Sequence, residues 1–220
     1  MGGGPIAKAL LPLSDVPLFV YPLRTLCGVH DLGGIVLVVP ADHQAQAAEM
    51  VAHYGPWPFP VEITAGGAER QDSVAAGLSK LDTTTDLVII HDAARPFVSL
   101  ACLSACVAAA TLSGAAIAAL PATDTVKLVA NDAVIRTLER QSVWLAQTPQ
   151  VFRPSLLRQA YAAATRDGYA ATDDAALVER IGTEVLVVPG ESTNRKITTP
   201  DDLRWAEWYV ATHSAAQNAP

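Results

Sequence analysis

Residues 87–97 read Leu-Val-Ile-Ile-His-Asp-Ala-Ala-Arg-Pro-Phe. The first four form a continuous apolar run, which is typical of a strand buried on both faces of a sheet. The run stops at His91 and Asp92, so the predicted strand delivers a carboxylate to its C-terminal end. In an open α/β sheet ligands bind at that edge, because loops and helix N-termini converge there. Asp92 is therefore a candidate functional residue, and Arg95 adds a guanidinium suited to phosphate.

A purely structural role would explain the same two residues. Asp92 could cap the helix that follows, and Arg95 could pair with it. This stretch alone leaves both interpretations open.

The composition limits the classes of function. The chain has 220 residues, which suits one domain, 1–220, and its net charge of −7 argues against general nucleic-acid binding. No apolar run approaches the roughly 20 residues of a membrane span, and no charged segment followed by an apolar one opens the chain, so we expect no membrane association and a cytoplasmic location. The three cysteines, Cys27, Cys102 and Cys106, are expected in the core rather than at a metal.

Predicted strands and helices alternate along most of the chain. Apolar runs at 35–39, 61–64, 87–91, 115–120 and 184–188 predict strands, with helical segments between them. This alternation predicts a three-layer, Rossmann-like α/β fold with a mostly parallel sheet. Two β-rich runs, 125–129 and 134–138, flank an Asn-Asp turn and predict an inserted hairpin arm at about 122–145.

Two further segments could bind phosphate or base. Gly66 and Gly67 follow a predicted strand, and bare backbone N–H groups there, with Arg70 and Ser73 as added donors, would suit an anion or a base edge. An ordinary strand-to-helix turn is the alternative. Lys196 lies in a basic segment between a strand and a helix, where it could neutralise phosphate or be a solvated surface charge.

The motifs taken together resemble the 2-C-methyl-D-erythritol 4-phosphate cytidylyltransferases of the non-mevalonate isoprenoid pathway. The resemblance runs from Lys8 to about Trp208, in order and at similar spacing. It is carried by His91 to Pro96, Gly66-Gly67 with Arg70 and Ser73, Asp124 to Lys127, Gln147 to Gln150, Thr172 to Asp174, and Asn194 to Leu203.

This resemblance implies a nucleotidyltransferase-type sheet and an enzyme that joins CTP to a polyol phosphate and releases pyrophosphate, with Mg²⁺ on the triphosphate. It implies that Gly66, Gly67, Arg70, Ser73, Asp92 and Ala93 bind CTP, with Asp92 also holding Mg²⁺. Lys8 and Lys196 would neutralise the α-phosphate. Arg95, Thr125, Arg140 and Thr172 would bind the acceptor, with Thr125 and Arg140 reaching into the neighbouring subunit of a homodimer and Arg140 counted among the catalytic residues.

The residue types fit such a reaction. The attacking phosphate oxygen is already anionic, so in-line transfer between phosphates needs charge neutralisation and alignment rather than a protein nucleophile. We therefore expect Lys, Arg and Mg²⁺ to carry the chemistry, and Trp144 to lie in the core rather than at the site.

The chain departs from the family pattern at its beginning. The family starts with a strand inside the sheet and a Gly-rich loop carrying an Arg, whereas this sequence begins Met-Gly-Gly-Gly-Pro and keeps only the closing Lys8. We expect unpaired backbone groups on the neighbouring strands, at about 1–3 kcal/mol each where buried, and impaired catalysis. The alternatives are transfer to another polyol phosphate such as ribitol 5-phosphate, or a catalytically silent nucleotide-binding dimer.

Overall fold

The computed structural model describes residues 7–217 of the chain, with side chains from residue 9 to residue 213. Most of the predicted strands occur within a residue or two of their expected positions. The strands are β1 (Pro12–Leu13), β2 (Val16–Pro17), β3 (Ile35–Val39), β4 (Val61–Ala65), β5 (Val88–Ile90), β6 (Ala115–Pro121), β7 (Lys127–Ala130), β8 (Ala133–Thr137), β9 (Trp144–Phe152) and β10 (Leu186–Pro189).

Seven helices occur among the described residues. They are α1 (Val20–Leu26), α2 (Gln44–Tyr54), α3 (Arg70–Leu78), α4 (Leu100–Ser113), α5 (Pro154–Asp167), α6 (Asp174–Arg180) and α7 (Pro200–Gln217), with short 3-10 turns at Ala7–Leu10, Ala41–His43 and Arg140–Ser142. Ser99 caps α4 by accepting a hydrogen bond from the Cys102 N–H, so Asp92 does not have that role.

Four strands form the main sheet, in the order β10, β6, β9, β5. β10 and β6 are parallel, whereas β9 runs antiparallel to both β6 and β5. The sheet is therefore mixed, and β9 is the strand of this sheet that the sequence interpretation missed. Its second half contains Gln147, Thr148 and Gln150, all of which are buried. Strands are recognised in a sequence by apolar residues at every second position, and a strand that buries polar side chains lacks this pattern.

β3 and β4 form a separate parallel pair. Among residues 7–217, the edge of β3 that faces away from β4 and the edge of β5 that faces away from β9 have no strand partner. A cleft of about 1740 Å³ lies between these two edges and is lined by residues of both strands and of α3. Among the described residues the strands of the domain therefore fall into two separate parts, with the cleft between them.

The hairpin arm has the predicted form. β7 and β8 pair antiparallel, and the turn residues Asn131 and Asp132 both have positive φ, at 49° and 60°. Two consecutive left-handed residues make the primed type of turn that matches the twist of a two-residue hairpin. Both strands of the arm are exposed on all their residues, so the arm extends away from the core.

The core lies on both faces of the main sheet. One cluster, which includes Phe152, Leu157 and Leu177, packs α5 and α6 on one face. Another packs α4 on the other face, and Cys102 and Cys106 are buried in it as free thiols, as expected. Trp144 is not in the core: it is 42% exposed at the start of β9. The three-layer arrangement holds the C-terminal end of β5 in place beside the cleft.

Candidate active site

Three positive side chains surround the carboxylate of Asp92. Lys196 Nζ lies 2.8 Å from its Oδ2, Arg70 Nε lies 3.4 Å from Oδ1, and Arg95 Nε lies 3.8 Å from Oδ2. Burial raises the pKa of Asp92, but the charges of Lys196 and Arg70 lower it by more. The net pKa is therefore below its ordinary value, and the carboxylate is ionised at neutral pH.

The turn after β5 sets the place of Asp92 and Arg95. The N–H of Arg95 donates to the Asp92 carbonyl at 2.9 Å, which closes a tight turn directly after the strand. The Arg95 side chain is 13% exposed, and its Nη1 donates to the Asn194 carbonyl at 2.8 Å. The proposed helix-cap role of Asp92 is thus wrong, while its pairing with Arg95 is real but looser than its pairing with Lys196.

His91 locks this turn to the neighbouring strand. Its Nε2 lies 3.1 Å from the Arg95 carbonyl, which can only accept, so Nε2 carries the proton. Nδ1 must then accept the hydroxyl hydrogen of Thr148 at 3.1 Å, and the Thr148 oxygen in turn accepts the Asp92 N–H at 3.0 Å. Burial lowers the pKa of His91 to about 4, so the ring is neutral and fits these partners.

Arg70 links Asp92 to a buried acid on α6. Its Nη2 lies 2.8 Å from Oδ2 of Asp174, which is fully buried. Burial lowers the pKa of Arg70, but the Asp174 and Asp92 carboxylates raise it by more, so the guanidinium stays charged. The hydroxyl of Tyr161 donates to Asp174, and Gln150 Oε1 accepts the Asp174 N–H, so the acid is held in place on three sides.

The Gly66-Gly67 turn does not present bare N–H groups as expected. The Gly66 N–H donates to the Val39 carbonyl at 2.8 Å, and the Gly67 N–H donates to Ser73 Oγ at 3.2 Å. A Cβ at Gly67 would lie 2.2 Å from the Asp72 Cβ, so glycine is required by the close approach of α3. The turn is nevertheless next to the site, because Arg70 and Ser73 line the cleft together with Asp92 and Ala93.

Several predicted residues lie away from this cluster. Arg140 donates to the Thr123 carbonyl at 2.9 Å at the base of the arm, and Thr125 is exposed in the same region. Thr172 is exposed before α6, and Asp173 caps that helix. The Lys8 side chain lies outside the described residues. Within the single chain the structure brings together Arg70, Asp92, Arg95 and Lys196, and leaves the arm residues apart from them.

The sequence interpretation gave no role to the polar residues that hold the cluster. Asp174, Thr148 and Gln147 are buried and bind site residues or their loops. Their motifs were noticed only as part of the family pattern. The one local signal was a segment in which several polar residues are mixed with apolar ones. This signal does not indicate which way the polar side chains point.

The cluster is suited to binding a polyphosphate. Three cations face two carboxylates, so one positive charge is left over. Of these groups, Arg70, Asp92 and Lys196 lie on the wall of the open cleft. Within the described part of the chain, no three His, Cys, Asp or Glu side chains come close enough to hold a metal ion by themselves. Mg²⁺ keeps few protein ligands and commonly takes substrate phosphates, so Asp92 fits as a single carboxylate ligand to a nucleotide-bound ion.

Comparisons with known proteins agree on one family. The family model described as 2-C-methyl-D-erythritol 4-phosphate cytidylyltransferase matches residues 3–212. The enzyme of that name from Syntrophus aciditrophicus (strain SB) is 45% identical over 208 residues, which cover 92% of this chain and 87% of that protein. The bifunctional enzyme IspD/IspF of Anaeromyxobacter dehalogenans (strain 2CP-C) is 47% identical over 205 residues, 91% of this chain and 52% of that protein.

A solved structure is similar over nearly the whole chain. The crystal structure of 2-C-methyl-D-erythritol 4-phosphate cytidylyltransferase from Thermus thermophilus superimposes with a TM-score of 0.79 and 36% sequence identity. The superposition covers 96% of this chain and 95% of that one.

No helix within residues 7–217 is long and apolar enough to cross a membrane.

Proposed function

The chain belongs to the 2-C-methyl-D-erythritol 4-phosphate cytidylyltransferase family, and we propose on this premise that it transfers the cytidylyl group of CTP to 2-C-methyl-D-erythritol 4-phosphate. The observation that carries the proposal is the arrangement of Lys196, Arg70 and Arg95 around Asp92 at the edge of the cleft. A cation cluster of this kind is what transfer between phosphates requires.

The reaction forms one bond and breaks one. An oxygen of the acceptor phosphate attacks the α-phosphorus of CTP, and the bond from that phosphorus to the bridging oxygen of the β-phosphate breaks, releasing pyrophosphate. Lys196 is 43% exposed and can turn from Asp92 toward the α-phosphate, where it neutralises the charge that grows during attack. Lys8 is proposed for the same task. Arg95, held by the Asn194 carbonyl, keeps its guanidinium at the acceptor side.

Mg²⁺ is part of the proposal as an ion that arrives with the nucleotide. Asp92 would supply one carboxylate oxygen and the triphosphate the others. The bound ion would draw charge from the triphosphate and so make pyrophosphate a better leaving group. The residues of the chain then have three tasks: Arg70 balances Asp92 from the buried side, Lys196 neutralises the α-phosphate, and Arg95 binds the acceptor.

The cytidine is proposed to lie beside the Gly66-Gly67 turn and Ala93. Because the two glycine N–H groups are already paired, the base would be read by carbonyl oxygens of the turn. Ser73 Oγ donates to the Glu69 carbonyl and accepts the Gly67 N–H, so it would offer only its remaining lone pair. The space that a Cβ would need at either glycine is already taken by side chains of β3 and α3, so a larger residue at 66 or 67 would displace the turn.

A homodimer is proposed to complete the acceptor site. Thr125 and Arg140 are exposed and apart from the cation cluster of their own subunit, so they would act in the neighbouring one. The arm also exposes the apolar side chains of Leu128, Val129, Val134 and Ile135, at 41–61% of their surface. An apolar patch of this kind on an extended hairpin is suited to contact between subunits. Thr172 would contribute to the acceptor pocket from the loop before α6.

The substrates also bear on the compartment. CTP and polyol phosphates carry several negative charges and do not cross membranes unaided. We therefore propose that the enzyme works in the cytoplasm.

A pyrophosphate-release assay tests the proposal. The chain is supplied with CTP, Mg²⁺ and 2-C-methyl-D-erythritol 4-phosphate, and in parallel with ATP, GTP or UTP and with ribitol 5-phosphate. We expect turnover with CTP and methylerythritol phosphate that is lost in Asp92→Asn. Turnover with ribitol 5-phosphate alone would move the assignment to another acceptor, and binding of CTP without turnover with either acceptor would favour a catalytically silent dimer.

A further inference from the structure

The carboxamide of Gln147 in β9 makes three hydrogen bonds to one loop, residues 190–194. Its Oε1 accepts the Glu191 N–H at 3.2 Å and an Asn194 Nδ2 hydrogen at 3.3 Å, while its Nε2 donates to the Glu191 carbonyl at 3.0 Å. The side chain is buried, so each of these bonds would be costly to lose. Gln147 thus binds both the beginning and the end of the loop.

The packing around Gly190 is a second, independent sign that Gln147 and the loop are in close contact. A Cβ at Gly190 would lie 2.5 Å from Gln147 Oε1 and 3.2 Å from the carbonyl of Ala119 on β6. The Gly190 N–H donates to that Ala119 carbonyl at 2.7 Å, so the backbone has no freedom to move away. The path of the chain after β10 is therefore fitted closely to the position of the Gln147 amide.

The loop in turn carries Lys196 and supports Arg95. Asn194 Nδ2 donates to the Thr148 carbonyl at 2.8 Å, and the Asn194 carbonyl accepts from Arg95 Nη1. The Ile197 N–H donates to the Ala94 carbonyl at 2.8 Å. Lys196 lies between these two anchored residues, so the position of its main chain follows from theirs.

We propose that Gln147 is a positioning residue that places Lys196, through Asn194, at the reacting phosphate. The inference rests on the proposed function, in which Lys196 neutralises charge in the transition state. A small displacement of the Lys196 ammonium would reduce the stabilisation of the transition state more than the binding of the substrates. Loss of the Gln147 amide therefore lowers kcat and leaves the KM for CTP nearly unchanged.

Four variants test the role. Gln147→Leu removes the amide at similar volume, and Gln147→Glu keeps the acceptor for Glu191 and Asn194 while losing the donor. Val188→Ala, on β10 two residues before Gly190, is the matched control, because it removes packing near the loop without touching the amide. We expect kcat to fall about 100-fold in Gln147→Leu and at least as far in Gln147→Glu, whose second carboxylate oxygen would face the Glu191 carbonyl, and to stay unchanged in Val188→Ala. Gly190→Ala, which displaces the same amide, should reproduce the loss.

A double-mutant cycle separates positioning from general damage. If Gln147 acts through Lys196, Gln147→Leu has no further effect on kcat in a Lys196→Met background. Multiplication of the two losses, or a rise in the KM for CTP with kcat unchanged, would overturn the proposal.

Hydrogen exchange gives a readout that does not need activity. The amides of residues 191–197 should exchange faster in Gln147→Leu than in Val188→Ala, measured by mass spectrometry on the folded chain. Equal protection in the two variants would count against positioning. If the parent chain releases no pyrophosphate, the proposed function fails, while the exchange experiment still decides whether Gln147 holds the loop.

Discussion

Lys196 Nζ lies 2.8 Å from Oδ2 of Asp92, at the point where the loop after β10 meets the turn after β5. The lysine is still 43% exposed, whereas the aspartate is 16% exposed. This difference leaves the ammonium free to exchange one anionic partner for another. The Lys196 ammonium is therefore the mobile member of the pair, and the Asp92 carboxylate is the fixed one.

Lys196→Met should lower kcat about 100- to 1000-fold, as loss of one group that stabilises transition-state charge does. Pyrophosphate release measures the effect. Lys80→Met is the control, since Lys80 Nζ pairs with Glu62 at 3.0 Å at a similar exposure but away from Asp92. Equal losses in the two variants would contradict a specific role for Lys196.

Asp174→Asn should destabilise the fold by about 3 kcal/mol, because it leaves the partly buried Arg70 guanidinium facing a neutral partner. Urea unfolding measures the change. Asp167→Asn removes the carboxylate of an exposed pair with Arg180 at 2.9 Å and should destabilise the fold far less, because solvent screens that pair. The prediction is wrong if the buried site is no more sensitive than the exposed one.

The stability of α7 should fall at low pH through Asp202. Its Oδ2 accepts from the backbone and hydroxyl groups of Thr198 and Thr199, and these bonds outweigh its burial and hold the pKa of Asp202 well below the ordinary value. A depressed folded-state pKa means that this contribution is complete above the unfolded-state pKa, near 3.8, and is lost as pH falls further.

Asp202→Asn tests this dependence. The variant should be less stable at pH 7 by about 1 kcal/mol, as for loss of a helix cap, and should lose less stability than the parent chain between pH 5 and pH 2. Thermal unfolding across that range measures both. Parallel curves for the two proteins would assign the acid sensitivity to other groups.

Arg140 should act in the neighbouring subunit. Arg140→Met and Lys196→Met are each expected to be nearly inactive. Mixed and reassociated, half of the dimers would be heterodimers with one intact site of two, so about a quarter of the parent activity should return. Mixing Lys196→Met with Asp92→Asn is the control, because both changes affect the same subunit's cluster. Without recovery in the first mixture, the two residues act in one subunit.

The division of the sheet should be visible in hydrogen exchange. β9 is paired on both sides, whereas β3 has a strand partner on one side within residues 7–217. Amides in 35–39 should therefore exchange faster than those in 145–151, by mass spectrometry of the native chain. Equal protection would mean that the cleft edge of β3 is covered in solution.

The sequence was enough to predict which residues form much of the candidate site, but not how those residues contact one another. Asp92, Arg95, Lys196 and Arg70 were identified from their places at the ends of predicted elements. That Arg70 pairs with Asp174, and that the Gly66 and Gly67 N–H groups are already used, depends on how α3 packs. The same limit explains β9, whose buried glutamines have partners on loops that are distant in the sequence.

The sequence by itself determined the alternation of strands and helices, the hairpin arm with its Asn131-Asp132 turn, and the carboxylate at the end of β5. These are local properties, set by apolar periodicity and by the backbone preferences of a few residues. Only the tertiary structure decided that β9 runs against its neighbours, that the sheet is divided at a cleft, and that three cations share Asp92. Those features arise from contacts between segments far apart in the chain, and the energy of such contacts depends on burial and distance, which no local pattern encodes.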